Sequence, residues 1–218
     1  MKTTQNTQLS EIDPIANPNT LTIVDRYFLA SHWCKGKTVA DYACGKGHGT
    51  GILKALGADH VTGFDFEEGT IAENKGRYNT INFETDKLWF ECIDVTVNSN
   101  DYYDKSFDTV ISLETFEHIP QDGVNTYLKN IKKMLKKGGT AIITTPVRRT
   151  PEFKYTGGTH LYEYNEEEFR KAISKVFDNF QVDSIGEFRA IENGMLHTEL
   201  LKGVNENSTL FWCEIKNE

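Results

Sequence analysis

The sequence predicts an α/β fold with one doubly wound, mostly parallel sheet. Short apolar runs of strand length alternate with stretches whose apolar residues recur at helical spacing, and that alternation implies parallel pairing through crossover helices. The first apolar run, from Val39, leads into a glycine-rich turn, Asp41-Tyr42-Ala43-Cys44-Gly45-Lys46-Gly47-His48-Gly49. Acidic residues stand at the ends of the first three runs, as Asp41, Asp65 and Asp94.

Residues 1–19 are rich in Thr, Gln and Asn with two prolines, which predicts a loose leader or a strap over the domain. From Thr20 to Trp33 the apolar positions fit a helix that Thr20 could cap. Strands are then expected at Val39–Ala43, His60–Phe64, Leu88–Ile93, Phe107–Leu113 and Thr140–Thr145. Helices are expected at Gly49–Leu56, about Gly69 to Tyr78, and Asp122–Leu135, the last terminated by Gly138-Gly139. Pro146 stops the fifth strand, and residues 147–165 read as a polar, aromatic-bearing loop long enough to be a substrate lid. Asn165 then caps a helix running from Glu166 to Val176, whose three leading acids suit a helix N-terminus. Two further strands, Phe180–Ile191 and Leu210–Ile215, close the chain, joined by a polar segment containing Gly194 and Gly203.

Bulk composition narrows the partners. The 218 residues suffice for a single domain, and no linker marks a second one. The net charge of −8 disfavours broad capture of nucleic acid or an anionic membrane. Four scattered cysteines without a CxxC pair read as reduced residues of a cytoplasmic protein. No signal-peptide pattern and no apolar run of membrane-spanning length is present.

The glycine turn admits three readings: a tight turn only, a dinucleotide site, or a site for S-adenosylmethionine. Gly45 and Gly47 fit the G-x-G-x-x-G pattern, but Thr50 holds the third position and Gly49 arrives one residue early. The acids separate the readings. Asp65, some twenty residues past the turn, is placed to accept both ribose hydroxyls. Asp94 is placed to accept from an adenine amine, and Asp41 to orient the turn or meet an ammonium group. Three carboxylates around one crevice suit a cationic, phosphate-free ligand and repel a pyrophosphate.

With these pieces in view, the chain from about Asp25 to Phe180 resembles the class I S-adenosylmethionine-dependent methyltransferases. The matching stretches are Val39–Gly47, Gly63-Phe64-Asp65, Ile93-Asp94-Val95, Phe107–Glu114 and Met134–Gly139, with Ala43 where that family often has glycine. The resemblance implies a Rossmann-like, seven-stranded sheet with an antiparallel last strand. It also implies S-adenosylmethionine as methyl donor, with S-adenosylhomocysteine as product. The contacts it carries over fall on Tyr27, Asp41, Ala43, Cys44, Gly45, Gly47, Asp65, Phe66, Asp94, Val95 and Leu113, with Tyr27 near the methionine end. Arg26-Tyr27, Glu114–Ile119 and His160–Tyr164 are further similar to bacterial methyltransferases of small molecules and glycans.

Methyl transfer is a displacement that depends chiefly on alignment, and a hydroxyl acceptor also needs a base. His118 is the first choice for that base, with Glu117 beside it and His160 on the lid. Glu114-x-x-Glu117-His118 with His160 is also similar to magnesium-dependent RNA 2′-O-methyltransferases, and in part to quinone-pathway O-methyltransferases. A divalent metal on these residues is the second reading, behind a metal-free site. The acidic balance, with only Arg148-Arg149 as a basic pair, stands against RNA. The expected reaction is methylation of a small-molecule or sugar hydroxyl; a protein that binds S-adenosylmethionine without turnover is the competing class.

Overall fold

The computed structural model describes residues 19–79, 87–97, 103–148, 159–189 and 196–218. The leader, apart from Asn19, and most of the candidate lid, with Arg149, Phe153 and Tyr155, therefore lie outside the described residues. The strands are β1 (Thr38–Tyr42), β2 (His60–Asp65), β3 (Leu88–Cys92), β4 (Phe107–Ser112), β5 (Leu135–Pro146), β6 (Phe180–Arg189), β7 (Leu196–Leu201) and β8 (Ser208–Lys216). The helices are α1 (Asn19–Ala30), α2 (His48–Ala55), α3 (Glu68–Asn79), α4 (Val124–Met134) and α5 (Glu166–Ser174). The eight strands form one sheet in the order β3-β2-β1-β4-β5-β8-β6-β7. Strands β1 to β5 pair in parallel, while β8 runs antiparallel to both β5 and β6.

This sheet is apolar on both faces, as expected where helices cover each side. Alternate residues of each strand feed opposite cores. Ala40, Val110, Ala141, Phe211 and Cys213 join one cluster with Tyr127, Leu128 and Ile131 of α4 and with Phe169 and Ile173 of α5. Val39, Ile111, Ile142 and Trp212 face the other way, against Tyr27 and Ala30 of α1 and Leu53 of α2. Phe169 stacks on Phe211 at 4.9 Å between ring centroids, so α5 is held to the antiparallel part of the sheet by a fully buried aromatic pair.

Three departures from the sequence reading have physical causes. The sheet has eight strands where seven were expected, because the polar segment after β6 contains an edge strand, β7. It pairs only with β6, antiparallel from Ser184↔Leu201 to Arg189↔Leu196, and an edge strand needs no continuous apolar run. Helix α4 ends at Met134, one residue from the expected Leu135, but β5 begins at once instead of at Thr140, so Gly138-Gly139 lie inside the strand rather than stopping the helix. Leu135 already pairs with Phe107, the ladder resumes at Thr109↔Thr140, and the two glycines lie in the bulge between. Gly138 takes φ +76° there, and Asn217 of the C-terminal segment bonds across the bulge to Leu135, Lys136, Gly138 and Gly139. Finally, the helix expected through Trp33 stops at Ala30 and tightens into a 3-10 turn, Ser31–Trp33.

The cap expected at Asn165 forms in full. Its side chain accepts from the Glu168 amide at 2.9 Å, and the Glu168 carboxylate accepts from the Asn165 amide at 3.2 Å. Asn165→Ala should cost about 1 kcal/mol, read as a lower urea midpoint with unchanged slope.

Candidate functional site

The chain leaves β1, builds β2 and β3 on one side, then returns to place β4 on the other side of β1. A crevice opens at that reversal, beyond the carboxyl ends of the strands, where α/β sheets bind ligands. The segments after β1, β2, β3 and β4 all meet there.

The turn after β1 is held from several directions. Ala43, Gly45 and Gly47 take positive φ values of 67°, 51° and 71°. For Ala43 that conformation costs roughly 1 kcal/mol relative to glycine. Three residues on one face of α3 bond the turn's successive carbonyls: Asn74 Nδ2 to Gly45 O at 2.8 Å, Arg77 Nη1 to Lys46 O at 2.7 Å, and Tyr78 OH to Gly47 O at 2.8 Å. The Gly45 amide donates to Asp65 Oδ2 at 2.9 Å, and the Glu67 amide to Asp65 Oδ1 at 3.1 Å. Asp65 is buried at the end of β2 with both oxygens oriented by backbone, and Phe66 beside it is 71% exposed. A Cβ built on Gly45 would meet nothing within 4 Å, so the turn leaves open room. Asp94 is exposed, and its Oδ1 takes both bonds from Thr96, at 2.8 and 2.7 Å. Val95, Leu113 and Cys44 are buried, each in a different apolar cluster of the core. Oriented acid, exposed ring and open turn together fit a ribose, a flat base and an amine.

Asp41 takes the orienting role among those offered by the sequence. It is buried, with Oδ2 accepting from Thr50 Oγ1 at 2.6 Å and Oδ1 from Tyr27 OH at 3.2 Å. Tyr27 is likewise buried, and its ring lies across Gly49, where a Cβ would come within 1.9 Å. The early glycine of the turn thus makes room for Tyr27. Burial raises the Asp41 carboxyl to about 6, opposed by the Thr50 and Tyr27 hydrogen bonds and helped by the nearby Asp65 charge.

A second cluster stands beyond β4 and β5. Phe116–His118 forms a 3-10 turn with Glu117 fully buried. Thr145 Oγ1 donates to Glu117 Oε2 at 2.9 Å, whereas Oε1 is buried without a hydrogen-bond partner. The Nε2 atoms of His118 and His160 lie 3.7 and 3.9 Å from Oε1. Backbone bonds bring His160 there: Leu161 and Tyr162 amides both donate to Glu117 O, at 2.8 and 3.1 Å. Burial, and then the Glu114 charge, push the Glu117 carboxyl up, and burial holds His118 below the ordinary imidazole range. Glu114 does not join this cluster. Held at φ 53°, it accepts from Thr144 at 2.8 Å and pairs with Arg26 of α1 at 3.7 Å.

Sequence reasoning missed the residues that do the orienting. Asn74, Arg77 and Tyr78 had a helical-face spacing to betray them. Thr144-Thr145, two polar residues ending a buried strand, offered a second signal.

Residues 39–139 match the family described as a methyltransferase domain. Over 124 residues the chain is 26% identical to a probable S-adenosylmethionine-dependent methyltransferase of Mycolicibacterium smegmatis, covering 57% of this chain and 44% of that protein. It is 30% identical over 116 residues to a mitochondrial ubiquinone biosynthesis O-methyltransferase of Dictyostelium discoideum, covering 51% of this chain and 36% of the relative. The chain thus spans less than half the length of these relatives. A TehB-like S-adenosylmethionine-dependent methyltransferase from Corynebacterium glutamicum shares the fold, with a TM-score of 0.60 at 18% identity over 89% of this chain and 87% of that one. The fold is of the Rossmann-like type seen in that structure. Over residues 39–139 the chain is thus similar to the methyltransferase-domain family, and its Mycolicibacterium relative is described as S-adenosylmethionine-dependent.

Asp41 gives this site a pH signature. Its folded value of about 6 lies above the unfolded value near 3.9, so between them the native state binds more protons than the unfolded chain. Its contribution is therefore complete below about pH 4 and lost as pH rises through 6, by about 2–3 kcal/mol. Against Asp41→Asn, the wild type should lose that much relative stability in urea between pH 4.5 and 7; parallel profiles would remove the assignment. The groups facing Asp41 are Tyr27, Cys34, Cys44 and Asp65. The thiols and the phenol stay protonated throughout that range, their pKa values raised by burial.

Proposed function

We propose that this chain transfers a methyl group from S-adenosylmethionine to a hydroxyl of a small molecule or sugar precursor. The observation that carries this reading is the Glu117–His118–His160 cluster, set beside the donor crevice and outside its glycine turn. When bound, S-adenosylmethionine supplies a methyl on a sulfonium, and the carbon–sulfur bond breaks as the acceptor oxygen attacks. The Asp65 carboxylate would hold the ribose, Asp94 the adenine amine, and Phe66 the base's face.

His118 Nδ1 lies 3.0 Å from the Thr159 carbonyl, an acceptor only, so Nδ1 carries the proton and Nε2 presents its lone pair. A neutral imidazole so oriented can take the acceptor's proton. The Dictyostelium relative's name describes an O-methyltransferase of ubiquinone biosynthesis, which supports a small-molecule hydroxyl here. A net charge of −8 gives no support to an RNA acceptor. Four free cysteines, three of them buried, support a reducing, cytoplasmic setting. Among the described residues, no helix is long and apolar enough to cross a membrane.

Calorimetry with S-adenosylmethionine tests the donor half. The wild type should bind, and Asp65→Ala should lose at least about tenfold in affinity; unchanged affinity would sink the ribose assignment. S-adenosylhomocysteine release over a panel of sugars and phenols tests the acceptor half. On any accepted substrate His118→Ala should lower kcat about 100-fold or more while leaving donor affinity intact. Tight donor binding without turnover on any acceptor would favour a non-catalytic binding protein.

A further inference from the structure

We propose that the cavity between α4 and α5 is a second small-molecule site, one that takes a hydroxylated anion such as a sugar phosphate or a sugar acid. The inference goes beyond the methyl-transfer reading, and its binding step does not rest on it. The cavity measures about 330 Å³, within the range of small-ligand sites. Tyr162 and Tyr164 line it from the segment before α5, Asn125 from α4, and Glu168, Lys171 and Lys175 from α5 and its end. Neither His118 nor His160 lines it, so it is distinct from the cluster at the 3-10 turn.

Tyr164 is the first sign that a ligand belongs there. It is 5% exposed, with its ring edge-on to Phe116 at 4.9 Å and to Tyr162 at 4.7 Å. A tyrosine buried to that degree ordinarily bonds its hydroxyl to something. Here no described group bonds it, and the hydroxyl is not sealed in the core, so a molecule in the cavity can reach it. Burial pushes that hydroxyl up to about 12, with the nearby Tyr162 and Glu168 adding to the shift, so at neutral pH it stays a donor.

The charge around the cavity runs against that of the chain. Lys171 and Lys175 stand four residues apart on one face at the end of α5, and among the described residues no acid pairs with either. Like charges at that spacing repel. A helix C-terminus accounts for basic residues there, though not for two that share a cavity with an unbonded tyrosine. Glu168, the acid in the lining, is already committed. Arg148 reaches both its oxygens at 2.9 Å, Tyr162 OH donates to Oε1 at 2.9 Å, and the Asn165 amide donates to Oε2 at 3.2 Å. Two cations therefore face the space in a chain of net charge −8. Lysines supply point charges for a phosphate or carboxylate. The Tyr164 hydroxyl and the Asn125 amide, which no described group bonds, suit the hydroxyls of a sugar. The same wall carries His160. Tyr162 and Tyr164 follow it at alternate positions, the Tyr162 amide donates to Glu117 O at 3.1 Å, and Tyr164 packs on Phe116 of the 3-10 turn. A ligand held by this wall would steady His160 relative to Glu117.

Amide shifts of the isotope-labelled full-length chain locate the binding directly. Glucose 6-phosphate or glucuronate should move the Asn125, Tyr162–Tyr164 and Lys171–Lys175 signals in a saturable way, and the tighter of the two identifies the anionic group. Added salt should weaken the binding. Glucose should bind at least about tenfold more weakly than the better anion. Lys171→Gln combined with Lys175→Gln should weaken binding about tenfold or more, and Tyr164→Phe, which keeps the ring packing, about fivefold. The Leu161 and Tyr162 amides should exchange with solvent about fivefold more slowly in the bound form. The site is refuted if neither sugar anion gives a saturable shift, or if the shifts survive the lysine substitutions unchanged. Glucose binding as tightly as the anions would overturn the charge assignment, and unchanged exchange at Leu161 and Tyr162 would overturn the link to His160. Calorimetry with S-adenosylmethionine on the same samples reads the donor separately. A chain that binds the sugar anion but not S-adenosylmethionine would remove the methyltransferase reading and leave this pocket standing.

Discussion

The glycine-turn end of the molecule depends on a buried carboxylate. Asp41 stands at the end of the central strand β1 and receives one hydroxyl from α1, Tyr27, and one from α2, Thr50. Those two bonds fix where both helices meet the sheet, and so where the glycine turn between β1 and α2 can run. Burying a charge without compensation is expensive, and here two hydroxyls offset only part of the cost, which the raised Asp41 pKa records. The turn bears the other consequence. Gly49 must lack a side chain because the Tyr27 ring that reaches Asp41 passes over it. One interaction thus accounts for the helix packing, the out-of-pattern glycine and the shape of the crevice floor.

The acceptor end reverses that logic. Glu117 is as deeply buried as Asp41, yet one of its oxygens is left unmatched. A protein tolerates such an atom where something outside the chain supplies what it lacks, or where the charge is put to use. The adjacent Glu114, in a left-handed conformation that carries strain for any residue but glycine, marks the same short span as under constraint. Arg26 reaches from α1 to Glu114, so the helix that anchors the donor turn also touches the acceptor side. The two halves of the crevice are mechanically joined through α1.

How far the sequence disclosed this depends on how local each feature is. The strands and helices of the parallel half were legible because their periodicity is set by what each segment buries. Asp65 and Asp94 were legible because strand ends announce themselves. Strand β7 was hidden, since an edge strand is polar and takes its shape from β6 across a ladder rather than from its own pattern. The end of α4 fell within one residue of Leu135, but Gly138-Gly139 was misread as its stop and β5 was begun too late, because Leu135 is recruited by Phe107 of a distant strand. Glu114, Glu117, His118 and His160 were grouped only through a resemblance, which did not say that Glu114 turns away to Arg26, nor that Thr145 and Glu163 orient the others.

That last gap has a structural reason with consequences for how the site assembles. The segment at Thr159–Tyr162 is tied to the 3-10 turn at three points: Thr159 O to the His118 ring, and the Leu161 and Tyr162 amides to Glu117 O. A backbone carbonyl and a ring nitrogen of consecutive residues therefore set the position of a histidine more than forty positions downstream. The crevice beside the glycine turn is complete once the parallel strands and α3 are in place, because the hydrogen bonds and ring contacts that hold the turn come from β2, β3, α1, α2 and α3. The acceptor cluster is complete only when the segment before α5 has docked, and the α5 capping box and the Phe169–Phe211 stack anchor that segment from its far end. A loss at α5 should thus be felt first at His160 and only later at Asp65, so the turn and the histidine cluster rest on separately stabilised parts of the fold.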